Sequence, residues 1–142
     1  MAGKCSDACY MLKDGDSEWE LHSSMPTKRY ACKAFASQSE LCLVGGRVLM
    51  EASNAVESVD LESRSWTSHP DILVNRLFGA MVQHGDLVYV LGGLAGPKKF
   101  VNSAEVFNME KKSWKNLAPL PSRRADMATG KCFLKYGHGE YV

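Results

Sequence analysis

Apolar positions along the chain fall in short runs separated by turn formers, and none of the repeating stretches has a helical period. Leu87-Val88-Tyr89-Val90-Leu91 runs into Gly92 and Gly93. A continuous apolar run ending in two glycines predicts a strand buried on both faces that stops at a tight backbone turn. Leu41-Cys42-Leu43-Val44 runs into Gly45 and Gly46, so the same word stands 47 residues earlier. Trp19, Trp66 and Trp114 keep steps of 47 and 48, as do Arg29, Arg76 and Arg124. Leu12, Val59 and Phe107 each precede a tryptophan by seven residues, across turns rich in charge or turn formers. That spacing predicts an apolar strand, a polar turn and a short tryptophan-bearing strand. After each tryptophan strand comes a connector that ends at the repeated arginine. A small, apolar inner strand follows, and Gln83-His84-Gly85-Asp86 predicts a hairpin turn into the diglycine strand.

Each unit therefore holds four short strands, and a repeat of this length with four strands is the signature of a propeller blade. The diglycines, the spaced tryptophans, Glu57 and Glu105 nine residues before them, and the three arginines resemble kelch repeats. The resemblance spans roughly residues 8–130. The wording of the copies is similar to the stand-alone proteins of the kelch domain-containing 8 group. The expected fold is all-β: a kelch-type β-propeller segment of about two complete four-stranded blades with partial blades at both ends. The expected divisions are a flexible N-terminus (1–7), outer strands of a partial blade (8–28), blades at 29–69 and 76–117, and the inner strand or strands of a further partial blade (123–142). The third copy departs from the pattern, because Glu140 and Tyr141 occupy the places of its diglycine.

Composition narrows the function. The 142 residues are 45% hydrophobic and 23% charged, enough for a packed core. A formal net charge of +1 gives no general attraction to nucleic acid or to an anionic membrane. No run approaches the roughly 18 apolar residues of a membrane span. The first residues lack the apolar core of a signal peptide. Five cysteines at unmatched repeat positions suggest free thiols in a reducing compartment, so cytoplasm is expected, with the nucleus also open.

The glycine-rich, basic stretch Gly92 to Lys99 lacks the spacing of a phosphate loop. Gly45, Gly46, Gly92, Gly93, Trp19, Trp66, Trp114 and Arg29 are read as structural repeat residues, the tryptophans packing within and between blades. His22 and His69 share a repeat position, and Cys5 and Cys9 have no answering pair, so no metal, no cofactor and no catalytic residue is assigned.

The resemblance implies a non-catalytic scaffold that binds another protein through inter-strand and inter-blade loops. Those loops are 47–54, 94–102, 23–29, 69–76 and 118–124. The candidate contact residues are Arg47, Glu51, Asn54, Arg76, Phe78, Lys98, Lys99, Phe100, Asn102, Arg124 and Asp126, of types that commonly anchor interfaces. A substrate-recognition subunit of a cullin-type ubiquitin ligase is the alternative of the same class. A kelch-propeller copper oxidase is the alternative of another class. Strands for about three blades fall short of the 4–8 that close a propeller. Self-association, or missing blades in a longer chain, would complete the ring.

Overall fold

The structure is a computed structural model, and it describes residues 6–37, 39–49 and 51–128. All regular elements among these residues are β-strands. The first two, β1 (Ser6–Met11) and β2 (Glu20–Arg29), form a two-stranded antiparallel sheet. The first complete blade pairs β3 (Lys33–Ala36), β4 (Glu40–Val44), β7 (Val56–Asp60) and β8 (Trp66–His69) in that order. Between β4 and β7 stands a small hairpin, β5 (Arg47–Val48) and β6 (Glu51–Ala52). The second blade pairs β9 (Ala80–His84), β10 (Leu87–Leu91), β11 (Ala104–Asn108) and β12 (Ser113–Leu117), again in chain order.

The polar turns do what their residues predict. Gly85, with φ +55°, and Asp86 form the two-residue turn between the paired His84 and Leu87. In the β7–β8 turn the Asp60 carboxylate accepts the N–H groups of Glu62 and Ser63, and Asn108 accepts the N–H of Lys111 at the matching place in the second blade. Short side-chain acceptors of this kind mimic a backbone turn and fix the hairpin. The seven-residue offset becomes direct cross-strand pairing, Val59 with Trp66 and Phe107 with Trp114.

Packing between the blades makes the core. Phe35, Cys42, Val44 and Val56 of the first blade, with Ile72 of the connector, meet Val88, Val90 and Phe107 of the second. Phe107 is the centre, its ring 6.3 Å from Phe35 and 4.9 Å from Trp114. The diglycine strands differ from the simple expectation. Cys42, Leu43 and Val44 bury both faces of β4, whereas only Val88 and Val90 are fully buried in β10. The first blade lies between two sheets; among the described residues the second has a neighbouring sheet on one side.

Three segment readings and one packing role differ in the structure. β1 begins at Ser6, inside the segment read as a flexible N-terminus, because Ser6 pairs with Arg29. Residues 23–29 are strand and not loop, since β2 continues along β1 through two register shifts. The 47–54 loop contains β5 and β6. The expected inner strand at 123–142 lies mostly outside the described residues. Trp19 is 67% exposed and joins no core, because the β1–β2 pairing stops at Met11 and Glu20 and leaves Leu12 and Trp19 flanking the turn. Trp66 and Trp114 are half-buried.

The repeated arginines explain how blades hold together. Arg29 and Arg76 are buried, and each forms an ion pair with a buried glutamate, Glu57 and Glu105 respectively. Arg76 also donates to the carbonyls of Gly92 (2.8 Å) and Ser103 (3.3 Å), and Arg29 reaches those of Gly45 and Ala55. Glu105 in turn accepts the Leu73 N–H at 2.7 Å, fixing the connector from the first blade. The glycine pairs complete the link. Gly93 donates its N–H to the Arg124 carbonyl at 2.8 Å, and Gly46 approaches the Arg76 carbonyl at 3.4 Å. Gly93 sits at φ +104°, and a Cβ there would fall 2.6 Å from the Leu77 carbonyl, so only glycine fits.

Two outcomes follow for stability. Glu105→Ala strands a buried guanidinium and should cost about 3–5 kcal/mol, read from urea unfolding, while Glu105→Gln should lose less because the amide oxygen still accepts. Equal losses in the two variants would remove the charge from the argument. Trp114→Ala should cost about 3 kcal/mol through lost packing on Phe107 and a lost hydrogen bond to Pro70. Trp19→Ala should stay within about 0.5 kcal/mol, and matching losses at the two positions would contradict their different packing.

Candidate functional site

The loops that follow the diglycines are built on a repeated backbone device. Ala31, Phe78 and Asp126 stand at the same place in successive repeats, two residues after the arginine, with φ of 55°, 52° and 55°. A non-glycine residue with positive φ is uncommon and strained, and such residues cluster where the fold over-determines the backbone. The hydrogen bonds show what determines it. Tyr30 and Arg47 exchange both backbone hydrogen bonds, as do Leu77 and Leu94, and Asp126 donates its N–H to the Phe78 carbonyl at 2.8 Å. The residue before the strained position is thus clamped to the residue after the diglycine. At the strained position the side chain is free to vary: a methyl, a phenyl ring and a carboxylate. Phe78 and Asp126 are exposed there.

Phe78 opens into a cavity of about 550 Å³ between the loops of the two blades. Leu77, Leu94 and Pro97 supply apolar wall, and Arg47, Glu51 and Lys98 supply charge. Arg47 lies over the Tyr30 ring at 5.8 Å, a cation–π contact that fixes its direction. Asn75 donates to the Ala52 carbonyl at 3.3 Å and ties the β5–β6 hairpin to the connector. Beyond Lys98 a shallower depression is lined by Pro97, Lys98, Lys99, Phe100 and Arg123. Four cations against one carboxylate make this combined surface basic. Phe78 and Phe100 add two exposed rings.

Of the candidate contact residues, Arg47, Glu51, Phe78 and Lys98 come together in the cavity, and Lys99 and Phe100 adjoin it. The others do not. Arg76 is corrected: its guanidinium is buried against Glu105 and faces no solvent, because it serves the blade's own closure. Asn102 braces the connector, bonding the Leu120 carbonyl at 3.0 Å through its side chain. Asn54 receives the Ile72 N–H on its carbonyl. Arg124 is exposed and bonds Ser122, and Asp126 lies outside the cavity. Arg29 and Arg76 find their glutamates 28 and 29 residues downstream. Leu94, Pro97 and Asn75 were missed from sequence, since nothing marks an apolar loop residue as a cavity wall until the loops are paired.

A second grouping of reactive side chains lies on the first blade's face toward the second. The ligand atoms of Glu40, Cys42 and His69 are within 4.8 Å of one another. Ser58 hydrogen-bonds His69 Nε2 at 2.7 Å and also the Cys42 thiol. Burial pushes the thiol up to about 11, with the Glu40 charge adding to the rise. Burial also lowers the His69 pKa, and the nearby Lys112 ammonium acts in the same direction. Lys112, in the turn before β12, approaches Glu40 at 3.8 Å.

Comparison with known proteins agrees with this geometry. A model of the Kelch motif matches residues 75–121. Kelch-like protein 40 of Xenopus laevis is 34% identical over 130 residues, 86% of this chain and 21% of that protein. Kelch domain-containing protein 8B of Homo sapiens is 36% identical over 87 residues, 54% of this chain and 25% of that protein. The chain thus spans about a fifth to a quarter of the length of these curated relatives. The solved structure of YjhT superimposes with a TM-score of 0.69 over 87% of this chain and 55% of its own, at 14% identity, a likeness of fold alone. With two four-stranded blades locked by repeated arginines, glutamates and diglycines, the chain belongs to the kelch-repeat family.

Proposed function

We propose that this chain is a non-catalytic protein-binding module whose partner docks on the loop face between the two blades. The observation that carries the reading is the cavity beside Phe78. A strained backbone holds an exposed ring at the mouth of a 550 Å³ recess flanked by Arg47 and Lys98. Backbone strain is expensive to keep; the repeat's own hydrogen bonds hold it here, and strained residues cluster at ligand-contacting sites. The side chains gathered there suit recognition: aromatic and arginine anchors, with a basic rim formed by Lys98, Lys99 and Arg123. The partner that fits is a segment carrying carboxylates beside an apolar side chain. The apolar group enters against Leu77 and Leu94, and the carboxylates meet the cations. Exposed charge of this kind speeds and orients encounter, and salt screens it.

Selection of peptides from an unbiased displayed library tests this. Enriched sequences should pair acidic residues with an aliphatic or aromatic residue, and their binding should weaken with added salt. Lys98→Glu with Phe100→Ala should lower affinity for those peptides about tenfold or more, as loss of interface anchors does, while unfolding stability stays within about 0.5 kcal/mol. Enrichment of basic peptides, or unchanged affinity in a folded double variant, would place recognition elsewhere.

A further inference from the structure

The two blades correspond residue by residue, and one face breaks the correspondence. By strand register, Glu40, Cys42, Ser58 and His69 of the first blade stand where the second has Leu87, Tyr89, Val106 and Leu117. The second blade shows that the architecture accepts apolar or aromatic side chains at all four places. The first blade puts a carboxylate, a thiol, a hydroxyl and an imidazole there instead. Burying polar groups is costly unless they are paired, and these are paired with one another: Ser58 bonds His69 and Cys42, and Lys112 approaches Glu40.

Their placement is specific. Glu40 and Cys42 lie two residues apart on β4 and share a face. Ser58 is directly opposite Cys42 on β7, and His69 is opposite Val56 on β8, on that same face. Cys42 is buried and the other two are half-buried, so the cluster is walled on one side and reachable on the other. Phe107 of the second blade stands edge-on to His69, with ring centroids 6.4 Å apart, and closes the inner wall.

We propose that Glu40, Cys42 and His69 form a binding site for a zinc-type divalent cation, held by one carboxylate oxygen, one thiolate sulfur and one imidazole nitrogen. A tetrahedral zinc keeps such ligand atoms about 3.3–3.6 Å apart, given its usual bond lengths. The observed spacing closes to that with a shift of about an ångström in side-chain torsions. One sulfur, one nitrogen and one carboxylate oxygen is a donor set that suits zinc over magnesium or calcium. Three protein ligands leave a fourth position for water. When the cation binds, the Cys42 S–H bond breaks, its proton goes to solvent, and the sulfur lone pair makes the metal bond. The carboxylate and thiolate then balance the 2+ charge. Ser58 remains beside the ligands as the outer hydrogen-bonding partner, and Lys112 remains beside Glu40. The consequence is mechanical: β4 and β8 are not neighbours, and the metal would tie them across β7.

Titration of the full chain with cobalt(II), a spectroscopic stand-in for zinc, is the test. One equivalent should bring in the near-ultraviolet thiolate-to-cobalt absorption together with the visible bands of a tetrahedral site, and zinc should displace both. Cys42→Ala should abolish the thiolate band. His69→Gln, which keeps the thiol, should weaken zinc at least about tenfold, a loss already seen for outer-shell changes. Cys9→Ala with Cys32→Ala should change nothing. Circular dichroism establishes that each variant is folded, and zinc should raise the melting temperature of the parent and of the Cys9/Cys32 variant equally, and that of His69→Gln less at the same zinc concentration. Absence of the thiolate band in the parent, or its persistence in Cys42→Ala, would overturn the site.

Discussion

Arg76 holds its neighbourhood together by touching three separate stretches at once. Its guanidinium bonds Glu105, the Gly92 carbonyl and the Ser103 carbonyl, while its own backbone carbonyl lies against Gly46 of the preceding blade. A lysine could not do this, because a single ammonium lacks the planar fork that reaches several oxygens in fixed directions. Burial lowers the Arg76 pKa, and Glu105 opposes that shift by charge and hydrogen bond. The pair therefore stands on its geometry: the guanidinium meets the Gly92 carbonyl at the end of β10, the Ser103 carbonyl that also accepts the Gly92 N–H, and the Glu105 carboxylate. Arg29 repeats the arrangement with Glu57 and the Gly45 carbonyl. The diglycine is the other half of the same constraint. Arginine carbonyls and connector backbone pass so close to these turns that a side chain has no room.

This explains what could be read from the chain beforehand. Strand number and order, the turns at Gly85-Asp86 and Asp60 to Ser63, and the pairing of Phe107 with Trp114 all follow from local pattern and a fixed step. The arginine repeat was visible, but its partner was not. Glu57 and Glu105 were noted only by their distance from the tryptophans, and nothing local joins residue 76 to residue 105. Trp19 was misjudged for a related reason. Its repeat position is right, but burial depends on what packs against the strand, and Leu12 and Trp19 fall just beyond the last paired residues of β1 and β2. Ile72, one of the most buried side chains, was hidden in a stretch that reads as connector.

The candidate site was legible in part for the same physical reason. Arg47, Glu51, Phe78 and Lys98 sit in loops whose positions follow from the repeat, so their convergence was inferable. Cavity walls such as Leu94 were not, since Leu94 meets Leu77 only through a backbone bridge between distant loops. The Glu40, Cys42 and His69 cluster escaped notice because its members lie on separate strands with no tight local pair. Strand register supplies what spacing lacks. Once Cys42 is placed opposite Ser58, the same-face rule brings His69 beside them.

The two halves of each repeat thus carry different duties. From the diglycine to the glutamate the backbone is committed: its N–H groups, carbonyls and charges close one blade and meet the next, and substitution there disturbs several bonds at once. Two residues past the arginine the backbone is equally fixed but the side chain is not. Ala31, Phe78 and Asp126 share nearly the same φ and nothing else. A rigid backbone with an unconstrained side chain is the arrangement that lets a repeat change what it displays without changing how it folds. The Phe78 backbone is held by hydrogen bonds at Leu77 and Asp126, so its position does not depend on the packing of its own ring.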